Sequence, residues 1–156
     1  MKIRDVMNTD VITCKPDDPV SLLSKLLKEN HISGLPVVEK GKVVGIVSET
    51  DLLKLFEIPQ FSGGLWLPSP FEVIEVPIRN LVRFEEFKKA FEEVKSKPVK
   101  DIMNKEVQSV SPDDSLEEAS GIMVKHKVNR LPVIENGKLV GIVARSDIIR
   151  GLSAAE

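Results

Sequence analysis

The sequence predicts a mixed α/β (α+β) chain. Two copies of one β-α-β-β-α unit are expected to pack as a pseudo-twofold pair, with a partly helical insert between them. Three observations carry this. IRDVMNTDV (Ile3–Val11) returns as VKDIMNKEV (Val99–Val107). LPVVEKGKVVGIV (Leu35–Val47) returns as LPVIENGKLVGIV (Leu131–Val143), at the same offset of 96 residues. Residues 3–54 and 99–150 align without a gap, and 19 of the 52 positions are identical. A unit of this size buries too little surface to be stable alone, so the two copies are expected to share a core. The organisation read from the repeat is residues 1–54 as the first unit, 55–98 as the insert and 99–156 as the second unit.

Each element follows from local chemistry. VITC (Val11–Cys14) is a short apolar stretch that reads as a strand. Asp18 is a suitable helix N-cap and Pro19 a suitable first helical residue. Val20, Leu23 and Leu27 then recur at helical spacing, with Leu22 and Leu26 widening the stripe. In the second copy Asp114 lies three residues before Glu117, a capping-box spacing, and Leu116, Ala119, Ile122 and Met123 form the apolar face. LPVVE and KVVGIVS are two strands joined by Glu-Lys-Gly-Lys. The second copy has Glu-Asn-Gly-Lys there, and Asn-Gly is a strong hairpin signal. A short final helix is expected from Thr50-Asp51 and again from Ser146-Asp147.

The insert has different chemistry. Gly63-Gly64 and Pro68 are turn formers around Trp66, the chain's one tryptophan. Ser69-Pro70-Phe71-Glu72 reads as a capped helix start, although FEVIEV suits a strand equally. Phe84, Phe87, Phe91 and Val94 fall on one helical face, opposite Glu85, Glu86, Lys88, Lys89 and Glu92. That face needs an apolar partner, either this chain's own body or another protein.

Composition narrows the function classes. The chain of 156 residues is 42% hydrophobic and 29% charged, ordinary for a globular protein. A net charge of −2 gives no field to draw in nucleic acid or anionic membrane, and no basic, aromatic-interleaved patch is present. No apolar run reaches the roughly 20 residues needed to span a bilayer, and the start has no apolar signal core, so a cytoplasmic protein is expected. The lone Cys14 excludes an intrachain disulfide and reads as a small buried hydrophobe. His31 and His126 lie near matching helix ends and read as solvated cations. Asp17-Asp18 and Asp113-Asp114 precede helices and read as caps. No metal-ligand spacing, phosphate-cradling glycine loop or nucleophile-base pairing is evident, so an enzyme is not expected.

The repeated D-V/I-M, the mid-unit L-P-V and the closing G-I-V-x-x-x-D resemble the CBS domain, named after cystathionine beta-synthase. Two in tandem resemble a CBS pair, or Bateman module. The resemblance covers residues 3–54 and 99–150. It implies a regulatory module that binds an adenosyl ligand such as AMP, ADP, ATP or S-adenosylmethionine, and that commonly forms a homodimer. It also implies a separate effector protein, since no catalytic or DNA-binding domain is fused to the pair. The alternative is an interaction protein whose nucleotide clefts are degenerate.

The family's ribose motif is matched by Ser48 and Asp51 in GIVSETD. A carboxylate accepts hydrogen bonds from a diol, and a hydroxyl can donate to a phosphate. GIVARSD keeps Asp147 but replaces the hydroxyl with Ala144. The resemblance therefore implies a complete first cleft and a partial second. At the same time, either aspartate, with Thr50 or Ser146, can simply cap a helix. Before the LP segment, Asn129-Arg130 stands where the first copy has Ser33-Gly34. Arg130 suits phosphate through its forked guanidinium and is expected to serve the Ser48/Asp51 cleft, with Arg145 as a further candidate; both can also be surface charges. The adenine is expected near Ile12, Thr13, Cys14, Val37 and Ile46.

Overall fold

The computed structural model describes residues 1–56 and 77–155, with backbone only at residues 77–84 and 87. Gly63-Gly64, Trp66, Pro68 and the FEVIEV segment lie outside the described residues, as do the side chains of Phe84 and Phe87. The elements, in chain order, are a 3-10 turn at Ile3–Asp5, α1 (Val20–Glu29), β1 (Gly34–Glu39), β2 (Lys42–Ser48), α2 (Glu49–Lys54), α3 (Pro77–Val94), a 3-10 turn at Val99–Asp101, α4 (Leu116–His126), β3 (Arg130–Glu135), β4 (Lys138–Ala144) and α5 (Arg145–Ala154).

The strands form two antiparallel hairpins, β1–β2 and β3–β4, in matching register. Both turns place two residues at positive φ: Lys40 and Gly41 at 52° and 79°, Asn136 and Gly137 at 52° and 77°. That twist suits a two-residue hairpin loop, and Asn tolerates it better than Lys. Each hairpin also carries a bulge, between Val37 and Val38 and between Val133 and Ile134.

The expected first strand of each unit shrinks to one residue. Cys14 bridges Val37 in parallel, and Val110 bridges Val133. Cys14 N–H donates to the Pro36 carbonyl at 3.3 Å, and Val38 N–H donates to the Cys14 carbonyl at 2.8 Å. Extending the parallel ladder one step either way would need an N–H from Pro16 or Pro36, which have none. Pro112 and Pro132 stop the second ladder identically.

The helix starts also differ from expectation by one residue. Pro19, not Asp18, is the N-cap of α1. Asp18 instead accepts the Lys15 N–H at 2.7 Å, and Asp114 accepts the Ser111 N–H at 2.8 Å. Both acids fold the turn before the helix. The capping box of α4 is Ser115 with Glu118, not Asp114 with Glu117: Ser115 N–H donates to Glu118 Oε2 at 2.9 Å, and Glu118 N–H donates to Ser115 Oγ at 3.1 Å. Proline in Ser115's place gives α1 no such side chain. The carbonyls of Lys97 and Lys95, leaving the insert, accept from Val20 and Ser21 N–H at 2.8 and 2.9 Å instead.

Two cores form, and each is completed by the other copy. Cys14, Leu23, Leu27, Leu35, Val37 and Val47 pack with Val99, and Ile102 and Met103 join them. Val110, Leu116, Ala119, Met123, Leu131, Val133, Val143 and Ile148 pack with Ile3, and Val6 and Met7 join them. The leading segments of the two copies are exchanged. Backbone bonds hold the exchange: Asn8 and Ile142 trade two N–H···O bonds at 2.9 Å, and Asn104 and Ile46 trade two at 2.8 and 3.0 Å. Gly45 and Gly141 let the exchanged chain lie close, since a Cβ there would sit 2.5 Å from Met103 Sδ and 2.7 Å from Met7 Sδ. The copies pack as the expected pseudo-twofold pair, through two reciprocally completed cores rather than one common core.

The helix α3 packs on its own body where it is described. Phe91, Val94 and buried Ala90 gather around Phe56, just beyond α2. The Phe56 and Phe91 rings stack with centroids 6.4 Å apart.

Candidate functional site

The exchange of leading segments leaves two clefts, each built from both copies. The first, of about 240 Å³, brings together Ile46, Ser48, Thr50 and Asp51 with Asn104, Lys127, Asn129 and Arg130. The second, of about 270 Å³, joins Asn8, Asp10, Ile12, His31, Ser33 and Gly34 to Arg130, Ala144, Ser146 and Asp147. The first will be called the Asp51 cleft and the second the Asp147 cleft.

Ser48 is the N-cap of α2 and Asp51 its third residue, so both do cap the helix. Asp51 Oδ2 accepts the Ser48 N–H at 2.9 Å and the Ser48 hydroxyl at 3.1 Å, while Asp51 N–H donates to Ser48 Oγ at 3.4 Å. The caps are thus Ser48 and Ala144, not Thr50 and Ser146, which line the cleft walls. Capping consumes one carboxylate oxygen and orients the other. Among the described residues, no hydrogen bond reaches Asp51 Oδ1. In the second copy Asp147 Oδ2 accepts the Ala144 N–H at 2.8 Å, but Oδ1 accepts from Arg150 Nη2 at 2.7 Å. The residue matching Arg150 in the first copy is Lys54, which forms no such bond. The two aspartates therefore differ in what they can offer a ligand.

Arg130 stands at the junction of the clefts and lines both. Its side chain crosses to the first copy, where Nη2 donates to Ser33 Oγ. The guanidinium lies over Gly34, its own counterpart in the repeat. A Cβ at Gly34 would overlap Arg130 Nη1 and sit 2.8 Å from the Val47 carbonyl oxygen. Glycine in one copy makes room for arginine in the other. Burial lowers the Arg130 pKa, the neighbouring Glu49 carboxylate opposes that, and Arg145 adds to it. A guanidinium remains charged under such shifts.

The other sequence-derived candidates separate. Ile12 faces the Asp147 cleft and Ile46 the Asp51 cleft. Cys14 and Val37 are core residues, 4% and 0% exposed, and line neither cleft. Burial, with Asp18 nearby, pushes the Cys14 thiol up to about 12, so it remains a protonated core residue. Thr13 and Arg145 are exposed and line neither cleft. Asn8, Asn104, Lys127 and His31 are cleft residues that sequence reading passed over. The repeat itself held the signal for two of them: at the offset of 96, His31 is opposite Lys127, not His126. Both sit just past the first helix at positive φ, 52° and 55°. Among the described residues, no group of three or more His, Cys, Asp or Glu side chains is placed to hold a metal ion. No described helix is long and apolar enough to cross a membrane.

The family model for the CBS domain matches residues 3–58 and 99–154. This chain belongs to the CBS-domain family. As a CBS pair it is 36% identical over 154 residues to an uncharacterised protein of Methanocaldococcus jannaschii, MJ1426, covering 97% of this chain and 91% of that one. The crystal structure of CBSX2 in complex with AMP superposes with a TM-score of 0.70 at 27% identity, covering 99% of this chain and 97% of that one. The CBS domain pair of MJ0100, solved with 5′-methylthioadenosine and S-adenosyl-L-methionine, shares the fold at a TM-score of 0.69 and 21% identity, covering 100% and 98%.

Proposed function

We propose that this CBS pair is a regulatory binding module, not an enzyme. It senses an adenine nucleotide or related adenosyl ligand in the Asp51 cleft and signals to a separate effector protein. One observation carries the choice of cleft: Asp51 Oδ1 is open to accept from the ribose diol, whereas Asp147 Oδ1 is held by Arg150. The complex of CBSX2 with AMP supports the ligand class. Asn129, Arg130 and Ile46 line the same cleft, and in this reading the first two take the phosphate and Ile46 packs against the base. Titration calorimetry with AMP, ADP, ATP and S-adenosylmethionine tests the reading. Saturable binding by at least one is expected. No heat and no change in melting temperature with any of them would leave the alternative, an interaction module with degenerate clefts.

The module is proposed to act as a homodimer. Leu53 and Ile149 occupy matching repeat positions on α2 and α5 and are 43% and 63% exposed; Leu152 on α5 is 54% exposed. Burying such side chains against a second copy stabilises association by roughly 1.5–3 kcal/mol each when fully covered. Light scattering at micromolar concentration is expected to give twice the chain mass. A monomer under those conditions would overturn the dimer, and Leu53→Glu with Ile149→Glu should dissociate it.

A further inference from the structure

The clefts carry different charges at one matched position. Lys127 lines the Asp51 cleft and His31 lines the Asp147 cleft, both exposed and both at a left-handed backbone position just after a helix. The remaining charges sharpen the contrast. The Asp51 cleft is lined by one acid, Asp51, and two permanent cations, Lys127 and Arg130, with Glu49 near Arg130. Around the Asp147 cleft stand two acids, Asp10 and Asp147, with Arg130 and His31, and Arg150 is paired with Asp147 at its edge. Glu106, the counterpart of Asp10, does not line the Asp51 cleft. The hydroxyl of Ser48 is also missing from the second cleft, where Ala144 stands.

From this we infer that Lys127 is a specificity-determining residue: it makes the Asp51 cleft select a phosphorylated adenosyl ligand, while His31 and Asp10 make the Asp147 cleft prefer an uncharged one. The inference rests on the proposed adenosyl-binding function and names the ligand charge that each cleft takes. An ammonium is a compact permanent charge that attracts a phosphate dianion at any physiological pH. An imidazole supplies that charge only when protonated, and the carboxylate of Asp10, which has no counterpart lining the first cleft, repels the anion.

The test uses AMP and adenosine as probes in titration calorimetry at about pH 8. Lys127→Gln keeps the stem and removes the charge. It is expected to weaken AMP about tenfold or more, the range for hydrogen bonds to charged groups, and to leave adenosine within about twofold. His31→Lys combined with Arg150→Leu, which frees Asp147 Oδ1, is expected to create a second AMP site, raising the AMP stoichiometry from one to two per chain. Equal weakening of AMP and adenosine in Lys127→Gln would show a merely structural lysine and overturn the inference. So would wild-type protein that loads AMP equally into both clefts. Both of those outcomes leave adenosyl binding standing. Failure of the wild type to bind either probe would sink the adenosyl reading and this inference together.

Discussion

A polypeptide of residues 1–54 is expected not to fold into a stable monomer, although it contains one whole sequence repeat. Its core would lack Val99, which is fully buried, and the flanking Ile102 and Met103. Burial of each such side chain stabilises by about 1.5–3 kcal/mol, and a whole domain is stable by only about 5–15 kcal/mol. The fragment would also lose the backbone partners of Ile46 and the carbonyls that cap Val20 and Ser21. Circular dichroism should show no cooperative melt, or a transition that depends on concentration because two fragments pair. In the full chain, Val99→Asp and Ile3→Asp should each unfold the protein, since each places an unpaired charge in a core. A soluble, cooperatively melting monomer of residues 1–54 would refute the exchange.

Asp51→Ala is expected to act on stability and on ligand binding, and the two must be separated. The substitution removes the acceptor for both Ser48 N–H and Ser48 Oγ–H. Loss of such a capping acceptor costs about 0.5–2 kcal/mol of stability. For a chain of this size that lowers the melting temperature by about 1–8 °C. Loss of the open Oδ1 should weaken adenosyl binding by a further 1.5–3 kcal/mol or so, as for a hydrogen bond to a charged group. Asp51→Asn keeps an oxygen for Ser48 and should recover most of the stability while binding stays impaired. Asp147→Ala should cost similar stability, since it loses the Ala144 N–H bond, but little binding. Its ion pair with Arg150 adds little, because the Arg150 side chain is 70% exposed. Calorimetry on the three variants, each checked by thermal melting, decides the matter. Abolished binding in Asp147→Ala with normal binding in Asp51→Ala would reverse the assignment of the dominant cleft.

The hairpins, apart from their bulges, were legible in the sequence, because alternation and the Lys-Gly and Asn-Gly turns are local signals. The helices that precede them were legible to within one residue. The error had one source: Asp18 and Asp114 are good capping residues, yet each is consumed by its own preceding turn. The first strands were overcalled because propensity favours VITC, while the missing N–H of Pro36 is felt only once the pairing partner is known. The exchange of leading segments was not legible at all. Ile3, Val6 and Met7 correspond to Val99, Ile102 and Met103, so either segment suits either core by composition. In the clefts, motif matching found Ser48, Asp51 and Arg130. It paired His31 with His126 by residue type and so missed Lys127, which only the gap-free register brings opposite His31.

The exchanged leading segments also set an order of events during synthesis. When residue 54 leaves the ribosome, every element of the first repeat has been made, but its core cannot close until residue 103 follows. At elongation rates of about 5–20 residues per second, that gap lasts several seconds. The second core spans a longer separation, because Ile3 pairs with Asp114 only after more than a hundred further residues. Contacts so distant in sequence slow the final closure, since loop entropy is lost before the contact forms. The nascent first repeat thus leaves apolar core residues uncovered to solvent or to chaperones for that interval. Rare codons placed between positions 54 and 103 would lengthen it, and should lower the yield of folded protein more than the same codons placed after position 103.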